Sequence, residues 1–127
     1  MIGLMNQTDY TVAAKVLDWT QKKHEAIATN IAHADVPGYH RLEVDPSFRD
    51  QVDLLLKQKT PHLIAHLPEP MVIKDPQSID PGLDGNSIHL PDELADLSET
   101  QLKHQLATQC ISDNLKQLKL AITGRTL

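Results

Sequence analysis

The sequence predicts a mainly α chain: long N- and C-terminal helices packed as a coiled-coil pair, with an irregular, proline-rich middle that contains a short helix. Three observations carry this. All eight prolines fall between Pro37 and Pro91, and proline is what a helix interior rejects most strongly. On either side of that stretch, seam residues recur at alternating spacings of three and four, the period of a heptad. Aromatics make up only 3% of the 127 residues against 40% hydrophobic overall, so the core must rest on Leu, Ile, Val and Ala. Thin helices packed side by side suit that composition. They bury little surface per residue, so the isolated chain is expected to be marginal and to gain stability by assembling.

The whole chain, 1–127, is one domain's worth of sequence. Its plan is an N-terminal helix over 8–35, a turn and irregular middle over 36–90, and a C-terminal helix over 91–123. Thr8 or Asp9 can cap the first helix by accepting a bond from a free amide. Its seam reads Ala13, Leu17, Thr20, His24, Ile27, Ile31 and Ala34, with two polar positions. Asp9 to Ala34 would span about 39 Å.

In the middle, "PSFRDQVDLLLKQ" reads as a short amphipathic helix. Phe48, Val52, Leu55 and Leu56 share one face, and Asp45 is its cap. From Thr60 to Leu83 prolines recur too often for regular structure, although "MVIK" can form a short strand. "LDGNSIHL" combines Asp-Gly turn chemistry with alternating Ile88 and Leu90.

The last helix opens with Pro91, suited to a first helical position. Asp92, Glu93, Asp96 and Glu99 crowd its positive end, and Lys116, Lys119 and Arg125 lie near its negative end. Its seam is unbroken: Leu90, Leu94, Leu97, Gln101, His104, Thr108, Ile111, Leu115, Leu118, Ile122. Gly124 is the expected stop. The two seams are expected to pack on each other; the polar positions Thr20 and His24 would meet Gln101 to Thr108 there if they select register, against the simpler reading of ordinary partial exposure.

Composition excludes several function classes. A net charge of -5 argues against nucleic acid as a partner. Acid is concentrated in the middle, where residues 43 to 93 hold ten acids and four bases. The single Cys110 excludes an internal disulfide and gives no metal-binding spacing. No apolar run approaches the roughly 20 residues of a membrane span. The N-terminal "MIGLMNQTDYTVAAK" lacks a basic start and apolar stretch, so no cleaved signal peptide is expected.

Seven histidines invite a metal reading. His62 and His66 are four apart but lie between prolines, without a zincin-like Glu, and His33 and His40 merely flank a turn. No nucleophile elbow or phosphate-cradling glycine loop occurs. No catalytic residue, metal ligand, cofactor or small-molecule substrate is predicted.

"NIAHADVPGYHR", Asn30 to Arg41, stands apart. Asn30 can hydrogen-bond across a helix interface, and Ala28, Ala32 and Ala34 admit close approach of a neighbouring backbone. Val36 precedes proline and is pushed out of helical geometry. Pro37 and Gly38 suit the central positions of a type II turn, and Tyr39 offers an apolar ring with a polar tip.

Residues 28 to 48, "ATNIAHADVPGYHRLEVDPSF", resemble the N-terminal signature of the bacterial flagellar rod and hook proteins. The match lies at Asn30, Ile31, Ala32, Ala34, Asp35, Pro37, Gly38 and Tyr39, with His33 and Val36 departing from the usual Asn and Thr. "DGNSIHLPDELADLSET", residues 84 to 100, resembles a second motif of the FlgB-type rod proteins at Asp84, Gly85, Asn86, Leu90 and Glu93, with Pro91 and Leu94 departing. The resemblance implies a structural subunit of the proximal rod, not an enzyme. Such subunits are exported by the flagellar type III apparatus without a cleaved signal and polymerise in the periplasm. They contact one another, other rod proteins and a FliE-type adaptor, and form the shaft that carries torque from the membrane ring to the distal rod and hook. A FlgC-like small rod subunit and a soluble helical adaptor or chaperone are the alternatives.

Overall fold

A computed structural model describes residues 7–78, 83 and 85–124. Two long helices, α1 (Gln7–Ala32) and α3 (Leu90–Thr123), bracket a small middle. That middle holds strand β1 (Leu42–Val44), helix α2 (Pro46–Lys57), a 3-10 helix (Pro61–His66) and strand β2 (Val72–Lys74). Asn30 near the end of α1 bonds Glu93 in the first turn of α3, and Thr20 meets His104 further along. The two long helices therefore run antiparallel.

Among the described residues α1 runs from Gln7, so Thr8 and Asp9 lie within the helix and not at the position that precedes it. It ends at Ala32, short of Ala34. The chain then tightens into successive turns, with His33 N donating to Thr29 O and Asn30 O, and Val36 N to His33 O. The carbonyls of these turns are bonded from the other end of the middle segment, as described below. α3 has Pro91 in its first turn and ends where Gly124 adopts the left-handed conformation at φ +67°. Arg125 lies outside the described residues.

The expected short helix forms. The Asp45 side chain accepts from Ser47 N, Pro46 opens the helix and Phe48 is buried. Leu56, expected on the buried face, is 46% exposed. Lys59, at φ +59°, ends this segment. The stretch from Thr60 onward is more regular than its prolines suggested: Pro61 starts the 3-10 helix, whose Ile64 is wholly buried against α1 and α2. "MVIK" supplies β2, but its partner β1 was not anticipated. The two strands are antiparallel, with Leu42 opposite Lys74 and Val44 opposite Val72. Asp45 N to Met71 O and Asp75 N to Arg41 O extend the ladder at both ends.

The apolar core is thin: Ala13, Ala26, Ile27, Val44, Phe48, Ile64 and Ala107 are its buried members among the described residues. The α3 seam differs from expectation. The stripe that faces α1 is Glu93, Thr100 and Ala107, all buried. Leu90, Leu94, Leu115 and Ile122 of the expected seam are exposed, as are Gln101 and Thr108. Both stripes have heptad period, so periodicity alone cannot choose between them. Small and polar residues bring the helices close, and the neighbouring leucines remain uncovered. Of the polar seam positions, Thr20, His24 and His104 come together, whereas Gln101 and Thr108 are exposed, as the simpler reading had it.

Candidate functional site

The two motif segments, joined by contacts between residues 46 or more positions apart, interlock at one corner where α1 ends and α3 begins. Asn30 is its centre and is wholly buried. Its side-chain amide donates to Leu42 O (2.9 Å) and to Glu93 Oε2 (3.2 Å). Its carbonyl accepts from Leu42 N (2.8 Å) and from the Tyr39 hydroxyl (3.1 Å). All four hydrogen-bonding positions of the amide are used, as a buried Asn requires. One side chain thereby ties together α1, the exit turn, β1 and α3.

The exit turn is the predicted type II. Tyr39 N donates to Val36 O across Pro37-Gly38, and Gly38 sits at φ +75°. The Tyr39 ring stacks on His33 at 4.8 Å. Burial, and behind it the charge of Glu93, push the Tyr39 hydroxyl pKa upward, which keeps it a donor toward Asn30.

The second motif clasps this turn. The Asn86 amide donates to His33 O, Ala34 O and Val36 O at 2.7–3.0 Å. These carbonyls belong to the turns that follow α1, where His33 O and Val36 O also accept from Val36 N and Tyr39 N. The Asn86 side-chain carbonyl accepts from Ile88 N. Ser87 N donates to Tyr39 O, while the Ser87 hydroxyl accepts from Arg41 N. Gly85, at φ +78°, lies so close that a Cβ there would stand 3.4 Å from Gly38 Cα. Asp84 lies outside the described residues.

Beneath the clasp is an ion network. Glu93 is wholly buried, and Arg41 Nε donates to it. The same guanidinium reaches Asp75 (2.8 Å), Asp96 (2.9 Å) and Glu43 (3.0 Å), and Lys23 bonds Glu43 at 2.6 Å. Burial opposes the charge on Arg41, but its bonds to Glu93, Glu43 and Asp75 hold its pKa above the ordinary value. Burial likewise opposes ionisation of Glu43, yet Lys23, the Val44 amide and Arg41 keep its carboxyl below the usual range. A polar cavity of ≈ 390 Å³, lined by Trp19, Lys23, Arg41, Glu43, Asp75 and Asp96 among others, opens beside it. These charges are engaged with one another, so the arrangement is a clamp.

Of the remaining predicted residues, Ile31 and Ala34 are half-buried, while Ala32, Asp35, Pro37 and Leu90 are exposed. Sequence reasoning assigned Glu93 to the helix start beside Asp92. Asp92 is exposed, but Glu93 is the buried acceptor of the network. Arg41, Glu43, Lys23, Asp75 and Ser87 were missed altogether. The available signal was the Glu93-Thr100-Ala107 spacing, a heptad stripe too polar to register beside a row of leucines.

No protein-family model matches the sequence. The flagellar basal body rod protein FlgB of Escherichia coli K12 is 26% identical over 115 residues, covering 80% of this chain and 83% of its relative. The FlgB of Shigella flexneri gives the same figures. That of Salmonella typhimurium is 24% identical over 123 residues, 87% of this chain and 89% of its relative. Over 80–87% of its length, the chain is similar to flagellar basal body rod proteins of the FlgB type.

Proposed function

We propose that this chain is a structural subunit of the proximal rod of a bacterial flagellar basal body and not an enzyme. It polymerises with copies of itself and other rod proteins, on a FliE-type adaptor, into the shaft that carries torque from the membrane ring to the distal rod and hook. It reaches the periplasm through the flagellar type III apparatus without a cleaved signal. The observation that carries this reading is the interlock of the two motifs. Asn30, Tyr39, Asn86 and Glu93 convert the corner between two thin helices into a cross-braced joint, while leucines of α3 are left uncovered. A load-bearing subunit that assembles through repeated heterologous contacts requires both a rigid joint and unsatisfied apolar surface.

Electron cryo-tomography of cells lacking this gene, beside a complemented strain, tests the proposal. Basal bodies that stop at the membrane ring, and grow rods again on complementation, are expected. Intact rods and hooks in the deleted strain would overturn it.

A further inference from the structure

His24 of α1 and His104 of α3 face each other across the helix pair, their rings 5.9 Å apart and inclined at 56°. Neither belongs to the corner described above. From this geometry we infer a bis-imidazole site for a divalent transition-metal ion, such as zinc, that clamps α1 to α3.

The tautomer of the neutral His104 ring follows from its neighbour. The Thr20 hydroxyl gives its single proton to Leu17 O at 2.9 Å. Its 3.2 Å contact with His104 Nδ1 therefore has Thr20 as acceptor and the ring as donor. His104 is held as the Nδ1–H tautomer, with a lone pair on Nε2. A protein group that accepts from one ring nitrogen and leaves the other basic is what metal-bound histidines have behind them. Among the described residues the His24 side chain makes no hydrogen bond; it is half-buried and stands opposite. Two imidazoles sharing a zinc through nitrogens about 2.1 Å away have centroids about 5–6 Å apart, and the 5.9 Å here falls in that range. His104 is exposed, so an ion enters from solvent. Among the described residues no group of three or more His, Cys, Asp or Glu side chains could hold a metal. Water therefore completes the coordination, and imidazole ligands of this number favour zinc, copper or nickel over magnesium or calcium. Because the two ligands lie on different helices, the ion binds the docked pair and not the separated helices, which makes binding a stabiliser.

The test is titration of the full chain with zinc, followed by calorimetry and by thermal unfolding read in the far ultraviolet. One zinc per chain and a raised Tm are expected. His24→Ala and His104→Ala should each weaken binding by at least about tenfold and abolish the Tm rise, and the double variant should be no worse than either. Thr20→Val should weaken binding by roughly tenfold through loss of the orienting acceptor. A double His62→Ala, His66→Ala variant should bind as the parent does. Because the lone chain is marginal, each titration is repeated in an osmolyte that favours the compact state. A Tm rise that survives loss of His24 and His104, or no saturable binding in either solvent, overturns the site.

Discussion

At Gly38 the surroundings are open, yet the backbone sits at φ +75°. Strain there arises from the residue's own Cβ and costs an L-residue about 1–2 kcal/mol. Lys59 is also left-handed, at φ +59°, so Lys59→Ala exchanges one such residue for another. Gly38→Val should therefore lower Tm and impair motility, while Lys59→Ala should leave both near the parent. Equal motility of the two variants would count against the turn's importance. Glu93 and Arg41 set a second contrast. Arg41→Ala strands a wholly buried carboxylate and should destabilise by about 3–5 kcal/mol in urea unfolding. Glu93→Gln keeps the shape and an acceptor for Asn30, and should cost less. A milder effect of Arg41→Ala than of Glu93→Gln would mean the guanidinium is not the essential partner.

At the scale of elements, the turns that follow α1 are pinned by a distant side chain. Asn86→Ala removes the two amide protons shared among the carbonyls of His33, Ala34 and Val36. Each such bond contributes about 0.5–1.5 kcal/mol, so amide exchange should accelerate over 30–39 before it does in the middle of α1. The joint between β1 and α1 depends on charge. The Glu43 carboxyl has a folded-state pKa below the ordinary 4.5. Its contribution is complete above the unfolded-state pKa and disappears as pH falls through the lower folded-state value. Stability should hold at neutral pH and decline in acid below about pH 4.5, with a flatter acid limb in Glu43→Gln. An unchanged acid limb in that variant would remove Glu43 from the account.

For the whole molecule, the thin core and the exposed leucines are two sides of one design. Ile27→Ala removes one of the few fully buried apolar side chains and should cost about 2–5 kcal/mol in the isolated chain. Leu94→Asp and Leu115→Asp alter side chains that are 50% and 53% exposed. They should leave isolated-chain unfolding within about 0.5 kcal/mol of the parent and yet block incorporation into rods, read by complementation and tomography. Loss of monomer stability in those two, with assembly preserved, would reverse the assignment of the two stripes.

Local rules determined by themselves where this chain breaks and bends. Proline placement bounded the long helices, Asp45 and Pro46 opened α2, Pro37-Gly38 made the type II turn, and Gly124 stopped α3, because each acts through φ, ψ or a bond within a few residues. What tertiary structure decided was partnership. Glu93 and Leu94 are neighbours in a sequence whose heptad period accommodates either in the seam. Only the approach of Asn30 and Arg41 from the other end of the chain makes the glutamate the buried one. Asn86 likewise reads as a turn residue until the carbonyls of His33, Ala34 and Val36 stand within 3.0 Å of it. Burying a charged or amide group is tolerable only where its partners are in place, and those partners are brought there by the fold.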